Sequence, residues 1–244
     1  MLDVVVPVGV NDLDLVGRQI EHVKANVDGC RNIFLISRPT LSVGGCTHIA
    51  ESIFPFSLDD VARVHGKNER NGWYVQQLFK LYAGSVIPGI SKKYLVVDAD
   101  TFFLRPTSFL KFGKMLFNFG SEHHAPYFEH MSRMHPTLRR VHPDLSGISH
   151  HMIFDSECLS GLFRLVESYN EQDFWRAFLR HVPPGHISFS GASEYEIYFN
   201  FMLLYCPGLV ELRPLEWRNS PSLDAPGCDY VSLHHYLRKS AKVY

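Results

Sequence analysis

The chain has 244 residues, 45% hydrophobic and 13% aromatic, and a net charge of −1, which suits one globular α/β domain and excludes a disordered or low-complexity protein. Its 24 basic residues are scattered with no basic stripe, so no nucleic-acid partner is expected. Five dispersed cysteines without a CxxC pair exclude a zinc knuckle or a disulfide framework. No apolar run reaches the roughly 18 residues of a transmembrane segment, and MLDVVVPVGV lacks the marks of a signal peptide.

LDVVVPV (2–8) is a continuous apolar run, the pattern of a buried parallel strand. Asn11 and Asp12 offer caps for a helix over LDLVGRQIEHVKANV, and Asp28-Gly29 breaks it before a second strand, NIFLIS (32–37). Strand, helix and strand with short connections open a βαβ unit. A Ser-, Gly- and Pro-rich loop containing Gly44-Gly45 follows. WYVQQLFKLYAGSVI (73–87) has the spacing of a long amphipathic helix ended by Pro88-Gly89, and KKYLVV (92–97) is a buried strand. Residues 112–143, rich in His, Met, Phe and Arg, lack periodicity and read as irregular, lining an acceptor cleft or surface. HHMIFD (150–155) is a strand, CLSGLFRLVESY and DFWRAFLRHV are helices, and SEYEIYFNFMLLY (193–205) is a helix opened by a capping box, Ser193 with Glu196. VELRPLEW and DYVSLHHYL are strand-like. No internal repeat or linker divides the chain.

The chemistry concentrates in YLVVDADTFFL (94–104). Ligands of open α/β sheets bind beyond the carboxyl ends of the strands, where Asp98 and Asp100 fall. Side chains two apart on an extended segment point the same way, so both carboxylates can face one ion. Hard oxygen donors suit Mg²⁺ or Mn²⁺, which bind substrate phosphates as well. An Asp-x-Asp there can hold a diphosphate leaving group. The plain alternative is a turn cap at Asp98 with Asp100 starting the next segment. A dehalogenase-type phosphatase is set aside by spacing, because Phe102 stands where that motif needs Thr or Val.

NGWYVQQLFKLYA, YLVVDADTFFLRP, SHHMIFD and SEYEIYFNF, in this order, resemble a family of poorly characterised bacterial and viral glycosyltransferase-like proteins within the GT-A superfamily. The match is close from Asn71 to Trp217 and looser at the first strand and at LHHY. The resemblance implies a doubly wound mixed sheet of the GT-A type that binds a nucleotide diphosphate sugar, with a metal held by Asp98 and Asp100 across the donor's phosphates. It further implies a C-terminal His ligand, His234 or His235, with His235 favoured because His235-Tyr236 matches the family's His-aromatic pair. Lys80 occupies the place of a basic residue reaching the donor, with Gln76 and Gln77 one turn earlier. Pro7 and Val8 end the strand that contacts the base, usually uracil. Glu194 falls beside the reacting carbon, although first-turn carboxylates also complement a helix dipole. His150, His151 and Asp155 are implied contacts to the donor sugar.

The expectation is therefore one GT-A-like domain over 1–244, with a nucleotide-sugar half (1–104) and an acceptor half (105–244). It is expected in the cytoplasm, or in the host cytoplasm if the source is viral. Its reaction would be metal-dependent transfer of a sugar, UDP-linked, to a hydroxyl acceptor such as a glycan. A sugar nucleotidyltransferase is a rival, but VPVGVNDLDLV lacks the Gly-rich basic signature after the first strand. A nucleotide-sugar-binding module without turnover is another.

Overall fold

A computed structural model describes residues 1–241. The first half runs β1 (Leu2–Pro7), α1 (Val16–Asn26), β2 (Cys30–Ser37), β3 (Cys46–Ala50), α2 (Leu58–His65), α3 (Asn71–Val86), β4 (Lys93–Val97) and β5 (Thr101–Phe103). The second half runs β6 (Leu110–Lys111), β7 (Lys114–Phe117), α4 (Ala125–Met134), β8 (His151–Asp155), α5 (Ser156–Asn170), α6 (Phe174–Arg180) and α7 (Glu194–Tyr205). It ends with β9 (Val210–Leu212), β10 (Trp217–Asn219), β11 (Tyr230–Ser232) and α8 (His235–Ala241).

The central sheet has the order β3-β2-β1-β4-β8, with every neighbouring pair parallel except β4 and β8. The three valines at the heart of β1, Val4 to Val6, and the run Tyr94–Val97 are buried on both faces, as the unbroken apolar pattern requires. Strand order reverses between β1 and β4, which makes a crevice at the carboxyl ends of these two strands, beside Pro7 and Asp98. At the opposite end the buried Asp3 takes both Nε and Nη2 of Arg31 (2.8 and 2.6 Å) and the Ser91 amide (2.6 Å), tying the starts of β1, β2 and β4 together.

Two small sheets complete the molecule, β10-β11-β5 and β6-β7-β9. The first matters for the site. β11 lies antiparallel to β5, with Ser232 opposite Thr101, so residues near the C-terminus are carried to the segment just after Asp98. On the face of the main sheet, α3 packs closely over β4 because Gly84 has no Cβ: one built there would stand 2.6 Å from Tyr94 Cε1. The Tyr94 hydroxyl then donates to the Lys80 carbonyl (3.3 Å), fixing the helix over the strand.

Several sequence expectations are corrected. Asn11 and Asp12 do not cap α1 through their side chains; its N-cap is Leu15, without a side-chain cap. The presumed loop after residue 37 holds β3 and α2, the latter started by a complete capping box, Ser57 with Asp60, that the sequence reading overlooked. The supposedly irregular middle contains β7 and α4. DYVSLHHYL is a strand only to Ser232 and turns helical at His235. At α7, Ser193 accepts from the Glu196 amide (3.2 Å), but the Glu196 carboxylate faces Ser146 and Gly147 instead of closing the box.

Two histidines are buried as neutral rings. His130 donates through Nε2 to the Phe178 carbonyl (2.8 Å), and His151 lies among Phe103, Phe109 and Tyr230 with Nε2 unpartnered. Burial pushes each pKa down to about 3. Above the ordinary histidine range neither state is protonated; below it the unfolded chain takes up protons that the folded chain excludes, so this stability is lost as pH falls from about 6.5 toward 3. Each ring should remove about 1.4 kcal/mol of stability per pH unit in that window. Urea unfolding followed at stepped pH should show the slope, and His151→Phe should shallow it by about one histidine's share.

Candidate active site

The site is assembled at the β1/β4 crevice from the end of β4, the middle of α3, the start of α7 and the segment after β11. Asp98 follows the last residue of β4, its amide held by the His150 carbonyl (2.9 Å). From α3, Lys80 projects its ammonium between two carboxylates, 2.5 Å from Asp98 Oδ1 and 2.6 Å from Glu194 Oε1. The Tyr195 hydroxyl donates to the same Asp98 oxygen (2.8 Å), and the Lys80 ammonium lies 4.5 Å from the centre of the Tyr195 ring. His150 Nδ1 stands 3.5 Å from the other Asp98 oxygen. Asp100 is held separately: Ser232 Oγ donates to Oδ1 (3.0 Å), and His234 Nδ1 lies 2.9 Å from Oδ2.

Burial and charge compete at each group. Burial works against the Lys80 ammonium, but Asp98 and Glu194 outweigh it and hold the pKa above the usual lysine range, so the lysine stays charged. Asp98 is likewise penalised by burial, and the cation of Lys80 with His150 overcomes this and pulls its carboxyl well below the ordinary value. For Glu194 burial wins and the pKa rises, with Lys80 opposing and Asp98 adding to the rise. Burial lowers the His234 pKa, but its bond to Asp100 and the surrounding acids turn the balance upward. A third aspartate belongs to this field. Asp12, in the β1–α1 loop, is pushed up to about 6 by burial and by the charges of Asp100 and Asp98. Arg238 Nη2 holds it at 2.6 Å.

The sequence-derived residues distribute as follows. Asp98, Asp100, Lys80, Glu194, His150 and His234 converge. Gln77 is buried behind Glu194, its Oε1 accepting from the Glu194 amide (3.0 Å). Pro7 and Val8 form the buried floor at the end of β1, and the Pro7 carbonyl accepts from Gln76 Nε2 (3.2 Å). His235 is exposed, its ring centre 5.9 Å from that of Tyr236, whereas His234, the other candidate, is the residue on Asp100. His151 opens β8 and faces the aromatic core, whereas His150 precedes the strand with a left-handed backbone (φ 57°) and turns to the crevice. Asp155 lies at the wrong end. Because β8 is antiparallel to β4, Asp155 pairs with Lys93 at the amino end of β4, and it caps α5 through the Glu157 and Cys158 amides.

Tyr195, Ser232, Asp12 and Arg238 were missed. Tyr195 and Ser232 each neighbour a chosen residue by one or two positions, a signal that could have raised them. Asp12 has the sequence context of a helix cap, and Arg238 carries no local pattern.

A family model described as a family of unknown function (DUF6492) matches residues 45–211. The chain belongs to this family. Comparison with the curated proteins finds no match. Among solved structures, the apo form of mouse xyloside xylosyltransferase 1 is similar at 10% identity over 95% of this chain and 96% of that one, with a TM-score of 0.46. The apo structure of the bifunctional glycosyltransferase WbbM is similar at 11% identity and a TM-score of 0.50; the match covers 95% of this chain and 45% of the WbbM chain. The chain is a single mixed α/β domain with a parallel-rich central sheet resembling glycosyltransferase structures, and β1 and β2 of that sheet precede the residues matched by the family. Among the described residues no helix is long and apolar enough to cross a membrane.

The Lys80 triad yields a stability prediction. Lys80→Met would leave two buried carboxylates without their cation, a loss of about 3–5 kcal/mol. Urea unfolding near neutral pH should show it, and adding Glu194→Gln to Lys80→Met should recover part of it.

Proposed function

We propose that the protein is a glycosyltransferase that moves a sugar from a nucleotide diphosphate sugar, UDP-linked, to a hydroxyl acceptor with the help of a divalent cation. The observation that carries this reading is the excess of acid at the crevice. Among the described residues, Asp12, Asp98, Asp100 and Glu194 are paired with two permanent cations, Lys80 and Arg238, at the sheet edge where α/β folds take their ligands.

Among the described residues no three or more His, Cys, Asp and Glu side chains form a ready-made metal cluster. The donor chemistry nevertheless fits Mg²⁺ or Mn²⁺: two carboxylates, Asp98 and Asp100, with the His234 imidazole beside them. Burial, and after it the charges of Asp100 and Asp98, raise the Asp12 pKa against the pull of Arg238, so acid is crowded at this crevice. Asp98, Asp100 and His234 would hold the ion, which when bound neutralises charge on the departing diphosphate.

The chain's own side chains do the rest. Lys80 and Tyr195 keep Asp98 ionised and aimed along the crevice. Pro7 and Val8 provide a rigid, buried edge for the nucleotide. His150, whose ring lies 5.0 Å from both Trp217 and His234, walls the sugar side. In the transfer, the acceptor oxygen bonds to the anomeric carbon while the bond to the diphosphate breaks and its electron pair leaves on a phosphate oxygen. Glu194, made more basic by burial, is the residue we assign to the acceptor's proton.

Melting temperature measured with UDP-sugars, with and without Mn²⁺, tests the reading, since a ligand of the folded state raises it. A metal-dependent rise is expected, together with slow release of UDP and free sugar. A rise without release would indicate a binding module; no rise with any nucleotide sugar would refute the proposal. Asp100→Ala should abolish the metal-dependent part of the rise. His234→Ala should weaken it about tenfold or more in Mn²⁺ concentration, while His235→Ala leaves it unchanged.

A further inference from the structure

A second feature borders Glu194 and is not used by the donor site. Trp73, Gln77 and Lys80 share one face of α3, at i, i+4 and i+7. Gln77 and Lys80 hold Glu194, so Trp73 lies one turn, about 6 Å, further along the same face. Opposite it runs the strap of residues 187–192, which leads directly into Ser193 and Glu194. The strap is fastened from two sides. Arg70 donates through Nε to the Phe189 carbonyl (2.9 Å) and through Nη2 to Ser190 Oγ (2.6 Å), and His124 Nε2 reaches the Ser190 carbonyl (2.6 Å). The strap is also close-packed beneath, since a Cβ on Gly191 would stand 2.5 Å from Val182 Cγ1.

This fixed strap presents Phe189 to solvent, 67% exposed. The Tyr127 ring comes from the first turn of α4, with the His124 ring 4.4 Å from it. Through His124, which also reaches the Ser190 carbonyl, this ring stands beside the strap, and burial raises its phenol to about 12. Arg70 is already engaged, by its two strap contacts and by stacking 4.5 Å from the centre of the Trp73 ring. The wall is therefore aromatic, with its cation committed internally, and suits a neutral ligand carrying apolar faces and hydroxyls.

We propose that Trp73, Tyr127 and Phe189 form the acceptor subsite and that its ligand is a carbohydrate, a sugar ring stacked on these faces with a hydroxyl directed at Glu194. This rests on the glycosyltransferase reading and narrows its acceptor from any hydroxyl compound to a glycan or glycoside. Arg70, His124 and Ser190 act as positioning residues that hold the strap at the distance a sugar ring requires.

Methyl glycosides of glucose, galactose, mannose and N-acetylglucosamine serve as probes, with binding followed by saturation-transfer NMR on the whole chain. At least one should bind, and Phe189→Ala, a change at an exposed side chain, should weaken it about three- to tenfold. Trp73→Ala should do the same, with circular dichroism confirming that the fold is retained. The Mn²⁺- and UDP-dependent rise in melting temperature should persist in Phe189→Ala. A protein that binds Mn²⁺ and UDP but none of the glycosides overturns the subsite and leaves the donor reading standing. Glycoside binding that is indifferent to Phe189→Ala overturns it too. Glycoside binding that Phe189→Ala weakens, in a protein that ignores nucleotide sugars, supports the subsite while the transferase reading falls.

Discussion

The ammonium of Lys80, set between Asp98 and Glu194, is the interaction on which the site is built. Two carboxylates so close and so buried repel one another, and each alone would cost several kcal/mol to desolvate. One cation with three donors resolves both problems, bonding each carboxylate and resting on the Tyr195 ring. It also joins three parts of the chain, α3, the end of β4 and the start of α7, so that the acids needed for chemistry are also those that fix the helices. Gly84 and the Tyr94 hydroxyl set the height of α3 over β4 at which the ammonium reaches.

This arrangement separates the roles of two aspartates that look equivalent in the sequence. Asp98 is held firmly on one oxygen by Lys80 and Tyr195, with His150 3.5 Å from the other. Asp100 is held more lightly, by one hydroxyl and one imidazole, both from the chain around β11. A group held by a hydroxyl and a partly exposed imidazole can turn to an incoming ion at small cost, whereas one held by a buried lysine keeps its place. Asp98 thus reads as the fixed wall of the crevice and Asp100 as its adaptable side.

Much of this was legible in the residues, for identifiable reasons. β1, β2, β4 and the long α3 announce themselves because buried parallel strands and amphipathic helices impose their period on the sequence. The Asp98–Asp100 pair followed from strand end and spacing. What escaped depended on direction and distance. Asp155 was misplaced because an apolar run does not reveal whether its strand runs parallel or antiparallel. A His-aromatic pair points to His235, but the strand ends at Ser232 and the helix starts at His235, and it is the His234 ring that lies on Asp100. Asp12 and Arg238 meet across 226 positions, beyond the reach of any local pattern.

The pairing of β11 with β5 makes the site wait on a stretch of chain translated long after its acids. Asp98 and Asp100 can leave the ribosome and join the central sheet while Ser232 and His234 are still untranslated. A nascent chain therefore carries its acidic pair without the partners that steady Asp100, and the pocket closes only once β11 has emerged. Anything that withholds β11, such as termination after Leu212, leaves the central sheet whole and the site beside it unfinished.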